Sequence, residues 1–134
     1  MKKIILSLFL IGVVIILKAQ NPEAAVQANL DAYNNRDIET FMLYISEEIE
    51  MYRMGECEPY STGKQEVKNT YKRYFENSPK LHSEIKKRIV YGNKVIDHEY
   101  ITGANGSEEA FELILIYEVI DGLIVKMTSI RKTT

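Results

Sequence analysis

The chain has 134 residues, which is the length of one ordinary domain, and its formal net charge is −2. This mildly acidic balance gives no electrostatic reason to bind nucleic acid or an anionic membrane. The single cysteine, Cys57, cannot form an internal disulfide, and with the two histidines it matches no zinc spacing. The sequence therefore predicts no metal, no organic cofactor and no nucleic-acid partner.

The first twenty residues resemble a secretory signal peptide. "MKK" supplies the positive start, Ile4–Leu17 is an uninterrupted apolar run, and "KAQN" ends it. The run is shorter than the roughly 18 to 20 residues that cross a bilayer, although an uncleaved anchor remains the alternative. Cleavage after Ala19 would remove residues 1–19 and leave a single domain over residues 20–134. That domain is expected to be exported, to the periplasm or the medium, without membrane attachment.

Three helices are predicted in the first part of the mature region. "NPEAAVQANLDAYNNRD" opens with Asn21 before Pro22, which is a favoured helix start. "DIETFMLYIS" begins a short second helix with Asp37 as its N-cap. "GKQEVKNTYKRYFENSP" places apolar and aromatic residues on one stripe and ends at Pro79.

The remaining elements are predicted strands. "EIEMYRM" alternates briefly before the third helix. After Pro79 the strands are "LHSEIKKRIVY", "KVIDHEYIT", "EAFELILIYEVI" and "LIVKMTSIR", all rich in Ile, Val, Tyr and Phe. Turns at Gly92–Asn93 and Asp121–Gly122, with a longer one at "GANGSE", join them into an antiparallel meander. The order of elements predicts an α+β fold with helices against one face of a sheet.

This order, beginning with "AAVQANLDAYNNRDIETF", resembles the nuclear transport factor 2-like superfamily and its SnoaL-like and ketosteroid-isomerase-like branch. "LHSEIKKRIVYGNKVIDHEYITG" followed by "IYEVIDGLIVK" is similar to a bacterial SnoaL-like subgroup. The resemblance implies a cone-shaped, curved antiparallel sheet closed on one face by three N-terminal helices, a cystatin-like roll. It does not fix a function, because superfamily members include enzymes, ligand carriers and proteins without chemistry.

The resemblance also allows the isomerase mechanism to be tested by position. Ketosteroid isomerases need an Asp base at the end of the first strand, where this chain has Arg53. Their tyrosine on the first helix matches Asn29, and their protonated Asp on the third long strand matches Ile116. An arginine cannot abstract a proton at neutral pH, so steroid isomerisation by that mechanism is not expected.

The stretch "NKVIDHEYITG" places Asp97, His98 and Glu99 side by side. Neighbouring strand residues point to opposite faces, so Asp97 and Glu99 share a face and His98 lies on the other. The family register implies that the acidic face lines the cone and that a more apolar face lies outside and forms a homodimer. This outer face would carry Leu81, Ile85, Ile89, Ile96, Tyr100, Phe111, Leu113, Leu115 and Tyr117. The alternative register packs that apolar face on the helices and leaves Asp97, Glu99 and His82 in water.

Under the family register, several charged and aromatic residues would meet in one enclosed space. They are Arg53, His82, Glu84, Asp97 and Glu99 on the sheet, with Tyr33 and Tyr71 on helices. Buried charges need partners, so Arg53 should pair with Glu99 or Asp97, and His82 with Glu84. Glu99 is the first candidate for a catalytic base and His82 the second. Arg53, Glu84, Asp97, Tyr33 and Tyr71 are the candidate ligand-binding residues.

Three functions remain open from the sequence. The first is a binding module for a small, partly apolar molecule, which could carry an anionic group that suits Arg53. The second is a cofactor-free enzyme that uses Glu99 or His82 for proton-transfer or hydration chemistry. The third is a dimeric interaction protein whose cavity is filled by its own side chains. The missing isomerase residues favour the first and third.

Overall fold

The structure, a computed structural model, describes residues 21–132. The predicted signal peptide lies outside the described residues. Within them, no helix combines the length and the apolar character that crossing a bilayer requires.

The three predicted helices are confirmed as α1 (Pro22–Asn35), α2 (Ile38–Leu43) and α3 (Lys64–Glu76). α1 and α2 each begin after a residue whose side chain accepts a hydrogen bond from a backbone N–H group of the first turn. The Asn21 side chain accepts from the N–H of Glu23, and Asp37 accepts from the N–H of Thr40. These bonds satisfy donors that a helix N-terminus otherwise leaves without partners.

Six strands form one curved, unclosed sheet in the order β2-β1-β6-β5-β4-β3. The strands are β1 (Ile45–Arg53), β2 (Ser61–Thr62), β3 (His82–Tyr91), β4 (Lys94–Thr102), β5 (Phe111–Ile120) and β6 (Leu123–Arg131). β3 to β6 are the predicted antiparallel meander, but β1 runs parallel to β6. The sheet is therefore mixed, and the two-residue β2 was not predicted.

Cross-strand pairing shows which side chains share a face of the sheet. Asp97 pairs with Leu115 and Glu99 with Leu113, so these acidic and apolar residues lie on the same, concave side. The predicted outward direction of Phe111, Leu113, Leu115 and Tyr117 is therefore wrong. The inward direction of Asp97 and Glu99 is confirmed, since both are buried.

A bulge in β3 explains a second error in the predicted faces. The pairing with β4 shifts between Ile85 and Lys87. Before the shift Ser83 is buried and His82 and Glu84 are exposed, whereas after it Arg88 faces inward beside Asp97. An extra residue in one strand reverses the alternation of faces beyond it. Leu81 was predicted to lie outside but is buried, because it precedes the bulge and shares the inward face with Ser83.

Candidate functional site

A cavity of about 260 Å³ lies between the helices and the concave face of the sheet. The three α-helices and five of the six strands contribute to its wall, and β3 does not. The lining residues are Asn29, Leu30, Tyr33, Phe41, Met51, Tyr60, Ser61, Glu66, Thr70, Tyr71, Tyr74, Glu99, Ile101, Phe111, Leu113, Leu115, Tyr117, Met127, Ser129 and Arg131. Most of this surface is apolar or aromatic, so the cavity can hold a small molecule of the same character.

Glu99 on β4 is the buried carboxyl group of the cavity wall. One carboxyl oxygen, Oε2, accepts a 2.7 Å hydrogen bond from Ser83 Oγ, and Oε1 accepts a 3.1 Å bond from the Tyr117 hydroxyl. Burial raises the pKa of Glu99, and the two hydrogen bonds oppose that rise. A carboxyl group with a raised pKa can hold or give up a proton closer to neutral pH than an exposed one.

Ser83, whose hydroxyl group donates to Glu99, is itself held in place by a residue of the first helix. Asn34 of α1 accepts a 2.7 Å hydrogen bond from the N–H of Ser83 and donates a 3.0 Å bond to its carbonyl oxygen. Two bonds from one side chain fix the start of β3 against α1. The orientation of the Glu99 carboxyl group therefore depends on the packing of α1.

Aromatic side chains from all three helices form the roof of the cavity. The Phe41 and Tyr71 rings lie 4.5 Å apart, and the hydroxyl groups of Tyr33 and Tyr74 are 3.2 Å apart. Burial raises the pKa of the Tyr33 and Tyr71 hydroxyls, so both stay protonated. The sequence-based location of Tyr33 and Tyr71 in the cavity agrees with the structure.

Ser61 of β2 supplies a hydroxyl group with unused hydrogen-bonding capacity. The residue is only 7% exposed and lines the cavity. Its Oγ is the one buried side-chain nitrogen or oxygen of residues 21–132 that lacks a hydrogen-bond partner. A buried polar group without a partner costs about 1–3 kcal/mol, so a molecule that bonds to it gains affinity.

Arg131, at the end of β6, is the exposed cation among the lining residues. Its guanidinium carbon lies 5.4 Å from the centre of the Phe111 ring. Among the ion pairs of residues 21–132 none involves Arg131. The predicted anion-binding residue, Arg53, does not line the cavity: its guanidinium contacts Glu56 at 3.4 Å and stacks on Tyr60.

Asp97 has a different partner from the one the sequence suggested. The Asp97 carboxylate accepts two hydrogen bonds of 2.7 Å from Arg88, the residue opposite it on β3. A third nitrogen of Arg88 donates to Gln27 of α1 at 2.7 Å. This pair is part of the scaffold rather than the cavity wall, so the predicted pairing of Arg53 with Asp97 or Glu99 is wrong.

His82 and Glu84 also lie outside the cavity. Both side chains are exposed on the convex face, where Glu84 contacts Lys86 at 3.0 Å instead of His82. The structure thus brings Glu99, Tyr33 and Tyr71 together and excludes Arg53, His82, Glu84 and Asp97 from the lining. Ser61, Tyr117 and Arg131 were missed as site residues. Asn29, which lines the cavity, donates a hydrogen bond to the Phe41 carbonyl oxygen at 2.9 Å.

Ile116, which was matched to the third catalytic residue of the isomerases, does not face the cavity. Ile116 pairs with Ile96 and Thr128 on the convex face, so the comparison at that strand was one residue out of phase. The inward residues of β5 are Phe111, Leu113, Leu115 and Tyr117, and none carries a carboxyl group. Within the described part of the chain, no group of three His, Cys, Asp or Glu residues could hold a metal ion.

A bent sheet whose concave face is covered by helices around a small apolar cavity defines an α+β protein of the nuclear transport factor 2-like and cystatin-like class. The chain belongs to the SnoaL-like domain family, which it matches over residues 26–127. This family contains proteins that bind small molecules and proteins that catalyse reactions. No curated protein matches the chain in sequence.

Solved structures with the same fold share little sequence with the chain. A cystatin-fold protein from Novosphingobium aromaticivorans is 23% identical, with a TM-score of 0.75, and the match covers 83% of this chain and 98% of that one. An epoxide hydrolase of Mycobacterium tuberculosis is 19% identical, with a TM-score of 0.67 and coverage of 83% and 82%. TerC, crystallised with polyporic acid, is 16% identical, with a TM-score of 0.67 and coverage of 83% and 91%. At these identities the likeness establishes the fold alone.

Proposed function

We propose that this protein binds one small, mainly apolar molecule between its helices and the concave face of its sheet. The single observation that carries the proposal is a cavity of about 260 Å³ with an aromatic roof and a buried Glu99 carboxyl group in its wall. The cavity is slightly smaller than the roughly 300–1,000 Å³ of most small-molecule pockets, so its occupant must be small. A cavity of this size argues against the hypothesis of an interior filled by the protein's own side chains.

Two polar groups distinguish the cavity from a packing defect. Glu99 can accept a hydrogen bond or, when protonated, donate one, and the Ser61 hydroxyl has no hydrogen-bond partner within residues 21–132. Engineered apolar cavities stay empty, whereas sites with polar groups attract water or a ligand that bonds to them. The proposed ligand therefore has an apolar body and at least one hydrogen-bonding group.

Native mass spectrometry of the full chain, purified from its own host, tests this proposal. We expect an adduct of constant small mass on the wild type, and its loss in Leu113→Trp, which fills the cavity. Leu43→Trp is the matched control, because Leu43 is 66% exposed and does not line the cavity. An adduct that survives Leu113→Trp would contradict the proposal. So would a chain that carries no adduct and binds no member of a panel of small phenols, ketones and carboxylates.

A cofactor-free enzyme is the second candidate, and Glu99 is the observation that favours it. Burial raises the pKa of this carboxyl group, which is how proteins prepare a carboxyl group for proton transfer. Once the ligand is known, Glu99→Gln should abolish turnover and leave ligand affinity within a few-fold if the protein is an enzyme. Wild-type protein that returns the ligand unchanged after prolonged incubation would favour the binding function.

We also propose that the convex face of the sheet pairs with a second copy of the chain. Ile89, Ile96 and Ile116 are successive cross-strand partners there, and Ile89 is 49% exposed. Basic and acidic residues lie beside this stripe, and two of them, Lys94 and Glu118, form an ion pair at 2.7 Å. A surface that carries both charges can be complementary to itself in a two-fold dimer. Export of the mature domain stays a proposal that rests on the sequence of residues 1–19.

A further inference from the structure

A basic and an acidic residue lie at the two ends of one row of cross-strand partners in the cavity wall. Arg131 of β6, Leu113 of β5 and Glu99 of β4 are successive cross-strand partners. Two strand spacings separate the outer members of this row, so their Cα atoms lie about 10 Å apart. The row runs from an exposed guanidinium, across a leucine side chain, to a buried carboxyl group.

The guanidinium of Arg131 is available for an anionic group. It lies over the Phe111 ring, and no ion pair among residues 21–132 uses it. Burial raises the pKa of Tyr71 and Tyr74 in the roof, and the charge of Arg131 opposes that rise at both hydroxyls.

The acidic groups near the cavity favour one orientation of an anion. Glu99 lies at the far end of the row, and Asp97 lies behind it on the same strand. When ionised, Glu99 opposes the approach of a second negative charge to that end, whereas the charge of Asp97 is paired with Arg88. Glu66 also lines the cavity, but it is exposed in the first turn of α3, where water and the helix dipole stabilise its charge.

We propose that the ligand is a short carboxylate with an apolar ring or chain, bound with its carboxylate on Arg131 and its apolar body over Leu113. This inference rests on the proposed binding function and names its ligand class. Arginine binds a carboxylate through two parallel hydrogen bonds, which fixes the position of the charged end. The apolar body then lies beneath the aromatic roof, where Phe41 and Tyr71 are in contact.

A matched pair of probes tests the inference by calorimetry on the full chain. The first is 3-phenylpropanoate, and the second is 3-phenylpropanamide, which has the same shape without the charge. We expect the carboxylate to bind wild type at least ten-fold more tightly than the amide. Arg131→Gln should remove that preference, so that the two probes bind this variant with equal affinity within two-fold. Arg53→Gln is the control, since Arg53 is a second arginine that stacks on the lining residue Tyr60 but already contacts Glu56.

The outcomes separate this inference from the function on which it rests. Equal affinity of the two probes for wild type, or loss of the preference in Arg53→Gln alone, would overturn the carboxylate assignment and leave the binding function standing. Failure of both probes would also overturn the assignment. Failure of both probes together with an empty chain in native mass spectrometry would overturn the binding function as well.

Discussion

Arg88 and Asp97 form a buried ion pair with two hydrogen bonds of 2.7 Å, one from Nε and one from an Nη atom. Asp97 is fully buried, and the Arg88 side chain is 12% exposed. A third bond from Arg88 to Gln27 ties this pair to α1. The pair therefore joins β3, β4 and the first helix at one point beneath the helical layer.

Removal of the arginine should destabilise the fold. Arg88→Met leaves the Asp97 charge buried without a partner, which costs about 3 kcal/mol, the low end of the range for breaking a buried pair. We choose the low end because part of Arg88 remains in water. Urea unfolding followed by circular dichroism measures the loss. Lys86→Met, on an exposed neighbour, is the control, and an equal loss in both variants would contradict this role.

The helices and most strands of this fold could be predicted because their signals are local. Asn21 and Asp37 cap the helices that the sequence assigned to them, and the turns at Gly92 and Asp121 separate the predicted strands. β2 was missed since it has two residues and lies in a stretch rich in Gly, Pro and Ser. Its pairing with β1 is a tertiary contact without a local pattern.

The faces of the strands could be predicted only where one face is polar. In β4 the acidic residues Asp97 and Glu99 alternate with His98, so a choice between two phases was possible. The β5 run "FELILIYEVI" is apolar on both faces, and only its pairing with β4 fixes that Leu113 and Leu115 point inward. The bulge after Ile85 likewise has no signature in the sequence, which is why His82 was placed in the cavity.

The location of Arg131 in the site could have been anticipated more fully. Alternation along the last strand puts Arg131 on the same face as Met127 and Ser129, and all three line the cavity. Arg53 was predicted instead because it stands at the end of the first strand, where the resemblance implies a catalytic position. The contact of Arg53 with Glu56 in the following loop depends on a turn that the sequence did not specify.

Glu99 should make the stability of the protein depend on pH. Burial raises the pKa of Glu99 in the folded chain, so the folded state holds its proton more firmly than the unfolded state. The free energy of unfolding therefore falls as the pH rises from about 4.3, the ordinary value for Glu, to the raised value. In Glu99→Gln this contribution is gone, and stability should fall less over that interval.

Urea unfolding at a series of pH values measures the effect of Glu99. Glu84→Gln is the matched control, because Glu84 is an exposed carboxylate on the convex face. The control should follow the wild-type curve. A constant difference between wild type and Glu99→Gln at every pH would contradict the raised pKa.

The two buried serines of the site should respond differently to alanine. Ser61→Ala removes a hydroxyl group that has no partner in the described part of the chain, so the free energy of unfolding of the empty protein should stay equal or rise by about 1 kcal/mol. Ser83→Ala removes the bond to Glu99 and should lower it by about 1.5 kcal/mol. Thermal unfolding of both variants provides the comparison. An equal loss in both would mean that Ser61 has a structural partner.

The dimer proposal makes a prediction about the isoleucine stripe of the convex face. Ile116 pairs with Ile96 across the strands at the centre of this stripe, so Ile116→Lys would place a charge in the middle of the proposed contact. A buried charge without a partner opposes association, and we expect the dimer to become a monomer. Analytical ultracentrifugation of residues 20–134 at micromolar concentration measures the mass. Leu43→Lys is the control, because Leu43 is exposed and lies in α2, on the opposite side of the sheet. A wild-type protein that is monomeric throughout the accessible concentration range would refute the dimer, since the substitution would then have nothing to disrupt.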